Sequence, residues 1–395
     1  VTGEATGPPT VVTTRRTTMA DFNFWTFSIS VAEHGDRDRL VATPMHPAMI
    51  ISFAHEYIHY LQSVSSLLGF NILEQIIRVG IDGARKLTGH DKPAHGLSLD
   101  AMLGALDPHA GAQDPDIAGK CQALIDELAC YMNTSEYPYD GPGQPWDVVR
   151  GSVTHGTYQN GEVYGYLTDR RTFRPFFPRL LTEGIARQAD RWFAVNEGMD
   201  RHAWGDDLVE TEVYRGVRNI LLRPAYGKCV HRGNIDEFVV ILCTIALLAP
   251  HPDWAVMKML ETIAREPYWM PIAAWDQVLR KAMIVSGELD VAYFNEVMDR
   301  VLHGPSQAIA RSEFLPVYDL LKVIHSASVA AIQGSFVLFD RSLNWDGLWQ
   351  TVLRYQLPPV HVSDGTVFAF NGAACNEPLH RLIYQIHAKV FPKQE

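Results

Sequence analysis

His55, Glu56 and His59, in the stretch Ile51-Ser-Phe-Ala-His-Glu-Tyr-Ile-His-Tyr60, are the residues of this 395-residue chain whose types and spacing point most directly to chemistry. On an α-helix, positions i and i+4 project from one face a turn apart, so the two imidazoles can share one divalent ion. Glu56 is rotated from His55 by about 100°. From there its carboxylate reaches a water on the ion rather than the ion itself. That set suits metal-assisted hydrolysis: the ion lowers the pKa of its water and the carboxylate takes the proton. The chain has 16 histidines, so chance must be weighed. The flanks "MIISFA" and "YIHYLQ" are apolar and carry no proline or glycine, which places the helix in the core. Two imidazoles and a carboxylate are costly there without partners, and a metal supplies one.

Two histidines leave a tetrahedral site incomplete, since a catalytic zinc takes three protein ligands and keeps one position for water. A third histidine six residues after the second is absent: position 65 is Ser, and position 62 is Gln rather than Gly. A carboxylate is the next choice. Glu183, in "LLTEGIARQA", lies near the start of a predicted helix. Its small neighbours Gly184 and Ala186 would let two helix backbones approach closely. The plainer reading of Glu183 is an acid stabilised by the helix macrodipole. Glu74 and Glu127 compete with it. A continuous helix would carry Glu74 away from the metal, and Glu127, in "LIDELACYM", lacks small neighbours beyond Ala129.

These two segments, roughly twenty residues, resemble the gluzincin-type zinc metallopeptidases, in which His-Glu-x-x-His is joined by a Glu on a later helix, often as Glu-Gly-x-Ala. The resemblance implies a zincin-like helical metallohydrolase core binding one Zn²⁺ per chain. His55, His59 and Glu183 would be the ligands, and Glu56 the general base for cleavage of a peptide or amide bond. Two departures stand out. The gap from His59 to Glu183 is long, so an insertion lies between the two helices. Four residues after the ligand Glu, where some members place an Asp that orients a histidine, this chain has Arg187. Asp190, a further turn along, could do that job, and is not counted among the expected site residues.

The elements that must position these residues are mainly helical, with a small β element. Pro47 sits where a first-turn proline would, before a helix through the motif. A bend at Gly69 and a helix over 71–87 follow, then one over 117–132. Residues 146–168 alternate Val, Thr and Tyr with polar residues around Asn160-Gly161, which predicts a β-hairpin. Helices resume at 178–197, 206–222, 234–249, 253–265, 272–286, 290–302, 306–330 and 376–390. Residues 1–18, rich in Thr, Gly and Pro, read as a flexible leader or appended segment ahead of Met19. Residues 19–395 read as a single large helical unit, with the hairpin in an insertion.

Hydrolysis also needs a donor for the developing oxyanion. The hairpin offers His155, Tyr158, Tyr164 and Tyr166. His155, beside Gly156, is the residue selected, although a tyrosine-rich hairpin packed on the core is an equally good reading. Tyr214 and Tyr226 are further options. His231, His325 and His387 lie on or beside apolar helical stretches and read as core histidines.

The net charge of −11, from 34 basic and 45 acidic residues, argues against nucleic acid as a partner. Arg170, Arg171 and Arg174 form the best local basic patch, of a kind more often solvated or ion-paired. Five cysteines without a CxxC pair fit a reducing, cytoplasmic setting. No apolar run reaches the roughly 18 residues of a membrane span. "GPGQPW" lacks the lysine of a phosphate loop, and no G-x-S-x-G elbow is present. The leading expectation is a zinc hydrolase acting on a peptide or small-molecule amide. A metal enzyme performing non-proteolytic chemistry on a small molecule in specialised biosynthesis, and a non-catalytic metal-binding protein, are the alternatives.

Overall fold

The structure is a computed structural model that describes residues 20–23, 28–31, 47–88, 133–153, 161–198, 212–266, 269–306, 360–362 and 367–368, together with residue 322 and parts of 115–131 and 342–351. It is mainly α-helical, with a small β element.

The helices are α1 (Pro47–Ser65), α2 (Leu67–Thr88), α3 (Pro178–Asn196), α4 (Glu212–Leu221), the single turn α5 (Pro224–Gly227), α6 (Ile235–Leu247), α7 (Pro252–Arg265), α8 (Ile272–Val285) and α9 (Val291–Ser306). Proline opens α1, α3 and α7, where its missing N–H would have been unpaired anyway. The expected helix over 206–222 is described from Glu212 onward. Those over 306–330 and 376–390 lie outside the described residues apart from Ser306, which ends α9, and Lys322, which is helical. Positions described between 115 and 131 are helical, as expected for 117–132.

The bend between α1 and α2 falls at Ser66, not at Gly69. Ser63 and Ser65 turn their hydroxyls back onto the carbonyls of His59 and Leu61, a pairing that competes with the helix ladder. The Ser66 hydroxyl then accepts the Gly69 N–H at 3.1 Å and caps α2. Gly69 is helical, and its role is steric. A Cβ built there would lie 1.4 Å from the Ser63 carbonyl oxygen, so only glycine lets the second helix leave the first at this angle.

Two four-stranded sheets complete the described fold. One has the order β1-β2-β7-β8, from β1 (Ala20–Asn23), β2 (Ser28–Val31), β7 (Val360–Val362) and β8 (Val367–Phe368). Within it β2 and β7 are parallel and the other pairs antiparallel. The other is antiparallel throughout, with the order β3-β6-β5-β4. It comprises β3 (Tyr137–Pro138), β4 (Val148–Ser152), β5 (Glu162–Leu167) and β6 (Thr172–Pro175). The expected hairpin is β4–β5, registered Val148 to Tyr166 through Ser152 to Glu162. Strands β3 and β6 went unforeseen because two- and four-residue strands that each contain proline carry no readable alternation.

Helix α3 is central, packing against α1, α4 and α6, while α9 packs on α2. The second sheet delivers the chain straight into α3. Phe176 and Phe177, between β6 and Pro178, are fully buried and fix where that helix starts. Helix α7 braces β5 from the other side. There the Asp253 carboxylate accepts the Tyr164 N–H at 2.9 Å, and the Trp254 and Tyr164 rings lie 5.0 Å apart.

Candidate metal centre

The α1–α3 contact brings the two sequence segments together. His55 and His59 stand one above the other on α1 and face Glu183 on α3. His55 Nε2 lies 3.0 Å from His59 Nε2, and Glu183 Oε2 lies 3.3 Å and 3.4 Å from these two nitrogens. Among the described residues this is the one group of three His, Cys, Asp or Glu side chains close enough to hold an ion. Glu183 is in the second turn of α3, beyond the first-turn reach of the macrodipole, so helix-end stabilisation does not account for it.

The outer nitrogens decide what the inner ones can do. Gln62 Nε2 donates to the Thr182 carbonyl at 3.1 Å, which leaves Gln62 Oε1 to face His59 Nδ1 at 3.0 Å. An amide oxygen only accepts, so that nitrogen carries the proton. His55 Nδ1 likewise donates to Asp190 Oδ2 at 2.8 Å. In neutral imidazoles, both Nε2 atoms therefore present lone pairs, and they converge with a carboxylate oxygen. Three acceptors in one triangle repel. A single proton can bridge one edge, whereas a cation at the centre satisfies all three. A tetrahedral zinc with bonds of about 2.0–2.1 Å separates its donors by about 3.3 Å. The observed edges of 3.0, 3.3 and 3.4 Å fit that spacing. Two imidazole nitrogens and one carboxylate are also a donor set that zinc accepts.

Burial and charge agree with this geometry. Burial opposes a charge on Glu183, yet His59 and His55 outweigh it and hold the carboxyl well below the usual carboxylate range. Burial also opposes protonation of His55, but Asp190 and Glu183 drive it well above the usual imidazole value. The surroundings thus call for positive charge at the centre of the triangle. His55 is the more open ligand, with 15% of its side chain exposed against 7% for His59, and the adjoining Glu56 is half-buried. Asp190 is buried, and its second oxygen has no hydrogen-bond partner among the described residues. The bond to His55 thus compensates for sinking this carboxylate.

Two residues of the assembly lay outside the expected set. Asp190 takes the histidine-orienting position that Arg187 left open; it sits seven residues after Glu183, two full turns on, hence on the same stripe of α3. Gln62, three residues after His59 on α1, had no signal beyond that spacing. The small residue beside Glu183 serves a different contact from the one expected. Gly184 faces Cys243 and Val239 on α6, at 3.7 and 3.8 Å from a built Cβ, and not α1.

The remaining candidates separate. His155 and Tyr158 lie outside the described residues, as do Glu127, His325 and His387 and the side chain of Tyr214. Tyr166 is fully buried between Trp146 and Phe176, and Tyr164 packs on Trp254, so both belong to the core side of the hairpin. Glu74 pairs with Arg300 at 2.9 Å, away from the histidines. Burial, with Asp147 and Glu261 nearby, raises the Tyr226 pKa. His231 accepts the Gly233 N–H and caps a short 3₁₀ turn. In the basic patch, Arg171 donates to the Gly143 carbonyl and Arg174 pairs with Glu136.

No helix among the described residues is long and apolar enough to cross a membrane. Searched against protein-family models, curated proteins and solved structures, the chain matches none.

Proposed function

We propose that this protein is a zinc-dependent hydrolase of a peptide or amide bond, with His55, His59 and Glu183 as ligands of one Zn²⁺ per chain and Glu56 as the general base. The observation that carries the reading is the triangle of acceptors, whose outer nitrogens are already committed as donors to Asp190 and Gln62. A ligand histidine whose other nitrogen donates to a carboxylate or amide oxygen is what a metal site needs to fix tautomer and ring orientation. A bound divalent ion would supply Lewis acidity toward the carbonyl and make its water acidic near neutral pH.

The chain's own groups then have separate tasks. Glu56 follows His55 directly, is half-buried, and would take one proton from the attacking water. As the water oxygen bonds to the carbonyl carbon and the carbon–nitrogen bond breaks, Glu56 passes that proton to the departing nitrogen. Glu183 would supply the third ligand atom and its negative charge to the ion. Asp190 and Gln62 hold the two rings still. The reading places the protein in the cytoplasm, since five cysteines without a CxxC pair suit a reducing compartment; Cys229 and Cys243 are free and buried.

Metal analysis joined to substitution tests it. Wild type should carry about one zinc per chain. Glu56→Gln should keep the metal and lose turnover of a peptide or amide library by about 10²–10⁴-fold. His59→Ala should lose both. A metal-free wild type, or full turnover by Glu56→Gln, would overturn the proposal.

A further inference from the structure

We infer that Arg179 is a substrate-anchoring residue, and that the substrate of this centre carries an anionic group, a carboxylate, a few bonds from the carbonyl that reacts. The inference rests on the hydrolase reading and specifies its substrate class. Arg179 lies one turn before Glu183 on α3, and its Nε is 3.3 Å from Glu183 Oε1, the oxygen that does not face the histidines. That is the one polar contact of this guanidinium among the described residues.

The two ends of the contact differ in environment. The Glu183 side chain is 9% exposed and that of Arg179 is 38% exposed. The arginine therefore leads from the buried carboxylate outward to solvent. An arginine that served Glu183 alone would favour a two-bonded, fork-to-fork pairing with the carboxylate, the geometry its planar donors match best. Here a single Nε–H approaches, side-on, and the Nη groups at the tip are left to other acceptors. What remains is a partly exposed cation with spare donors, its Nε 3.3 Å from the ligand Glu183. In a chain of net charge −11, such a group beside the centre selects for an anion that the rest of the surface repels.

Other arginines near the centre of the fold are spoken for. Arg174 pairs with Glu136, and Arg191 and Arg218 with Asp236. Arg179 differs from these three in that its partner is the ligand Glu183.

Binding of two small probes to the Co²⁺-loaded whole chain, read from the visible absorption of the metal, tests this without turnover. Butyrate offers one carboxylate for the metal, and succinate of the same chain length adds a second for Arg179. Wild type should bind succinate about tenfold tighter than butyrate, the increment expected of a hydrogen-bonded ion pair. Arg179→Gln should bring the two within about a factor of two while keeping Co²⁺ and butyrate affinities close to wild type. Arg179→Lys, which keeps the charge but not the fork, should fall between. Equal binding of the probes by wild type overturns the inference and leaves the metal centre standing. A preference that survives in Arg179→Gln does the same, since both carboxylates would then sit on the metal. Loss of Co²⁺ by folded Arg179→Gln makes Arg179 a support for Glu183 and also overturns it. Failure of wild type to take up Co²⁺ overturns the metal reading and this one together.

Discussion

At the scale of single residues, the candidate centre is governed by where protons are denied. Asp190 and the Gln62 amide oxygen both require a proton on the facing Nδ1, and each imidazole can then turn only a lone pair inward. The outer partners are thus as much part of the site as the ligands. Gln62→Leu keeps volume and burial but strands the His59 donor and the Thr182 carbonyl. We expect metal affinity to fall about 10–100-fold, measured by competition with a chelator of known affinity at neutral pH. The fold should survive, because such losses cost about 1–3 kcal/mol. Unchanged affinity in this variant would show that Gln62 has no part in setting the tautomer.

At the scale of elements, two glycines near the ligands make opposite predictions. Gly69 sits where a Cβ would meet the Ser63 carbonyl oxygen at 1.4 Å, a backbone contact that no side-chain rotation relieves. Gly69→Ala should therefore destabilise by about 3 kcal/mol or more in urea unfolding, and should weaken metal binding because it moves α1 against α2. Gly184 has its nearest neighbours at 3.7 and 3.8 Å, ordinary contact distances. Gly184→Ala should be neutral or stabilising by about 0.5–1 kcal/mol, the helix cost of glycine, with metal content unchanged. The pair separates the elbow that aims the histidines from the α3–α6 packing behind Glu183.

The second sheet has its own pH signature. Burial disfavours the Glu136 charge, but the Thr172 hydroxyl and the Arg174 guanidinium outweigh it and hold its carboxyl below the ordinary value of 4.5. A lowered folded-state pKa stabilises above the unfolded value and is lost as pH falls through the folded one. Wild type should therefore exceed Glu136→Gln in stability at neutral pH. The gap should close below pH 4.5 in parallel denaturation series.

At the scale of the whole molecule, α3 ties the parts together. It carries Glu183, Asp190 and Arg179, it is entered from the β3–β6 sheet, and it packs against α1, α4 and α6. An ion bridging α1 and α3 would therefore cross-link the core and not merely decorate it. Free metal at 1,000 times its dissociation constant adds about 4 kcal/mol to the stability of the native state. Chelation should accordingly lower the thermal midpoint of wild type by several degrees, and leave that of His59→Ala unmoved. Acid should act like the chelator. The ligand nitrogens must be unprotonated to hold the ion, so metal retention should fall as pH is lowered, read as metal content after dialysis at a series of pH values.

By itself the sequence determined the local periodicities and what they carry. The mainly helical class, the β4–β5 hairpin, most helix bounds to within a few residues, and the one-faced placement of His55 and His59 all follow from spacing along a single element. Glu183 was legible as a candidate from its place early in a helix beside small residues, although Gly184 packs on α6 and not on α1. Tertiary structure decided the rest. Whether Glu183 or Glu74 joins the histidines, which acid orients His55, and what Gln62 does depend on which faces of α1 and α3 meet. That meeting joins residues more than a hundred positions apart, such as His55 with Asp190 and Gln62 with Thr182, and no spacing along one element specifies it. Periodicity places a side chain on a face; only packing says what that face looks at.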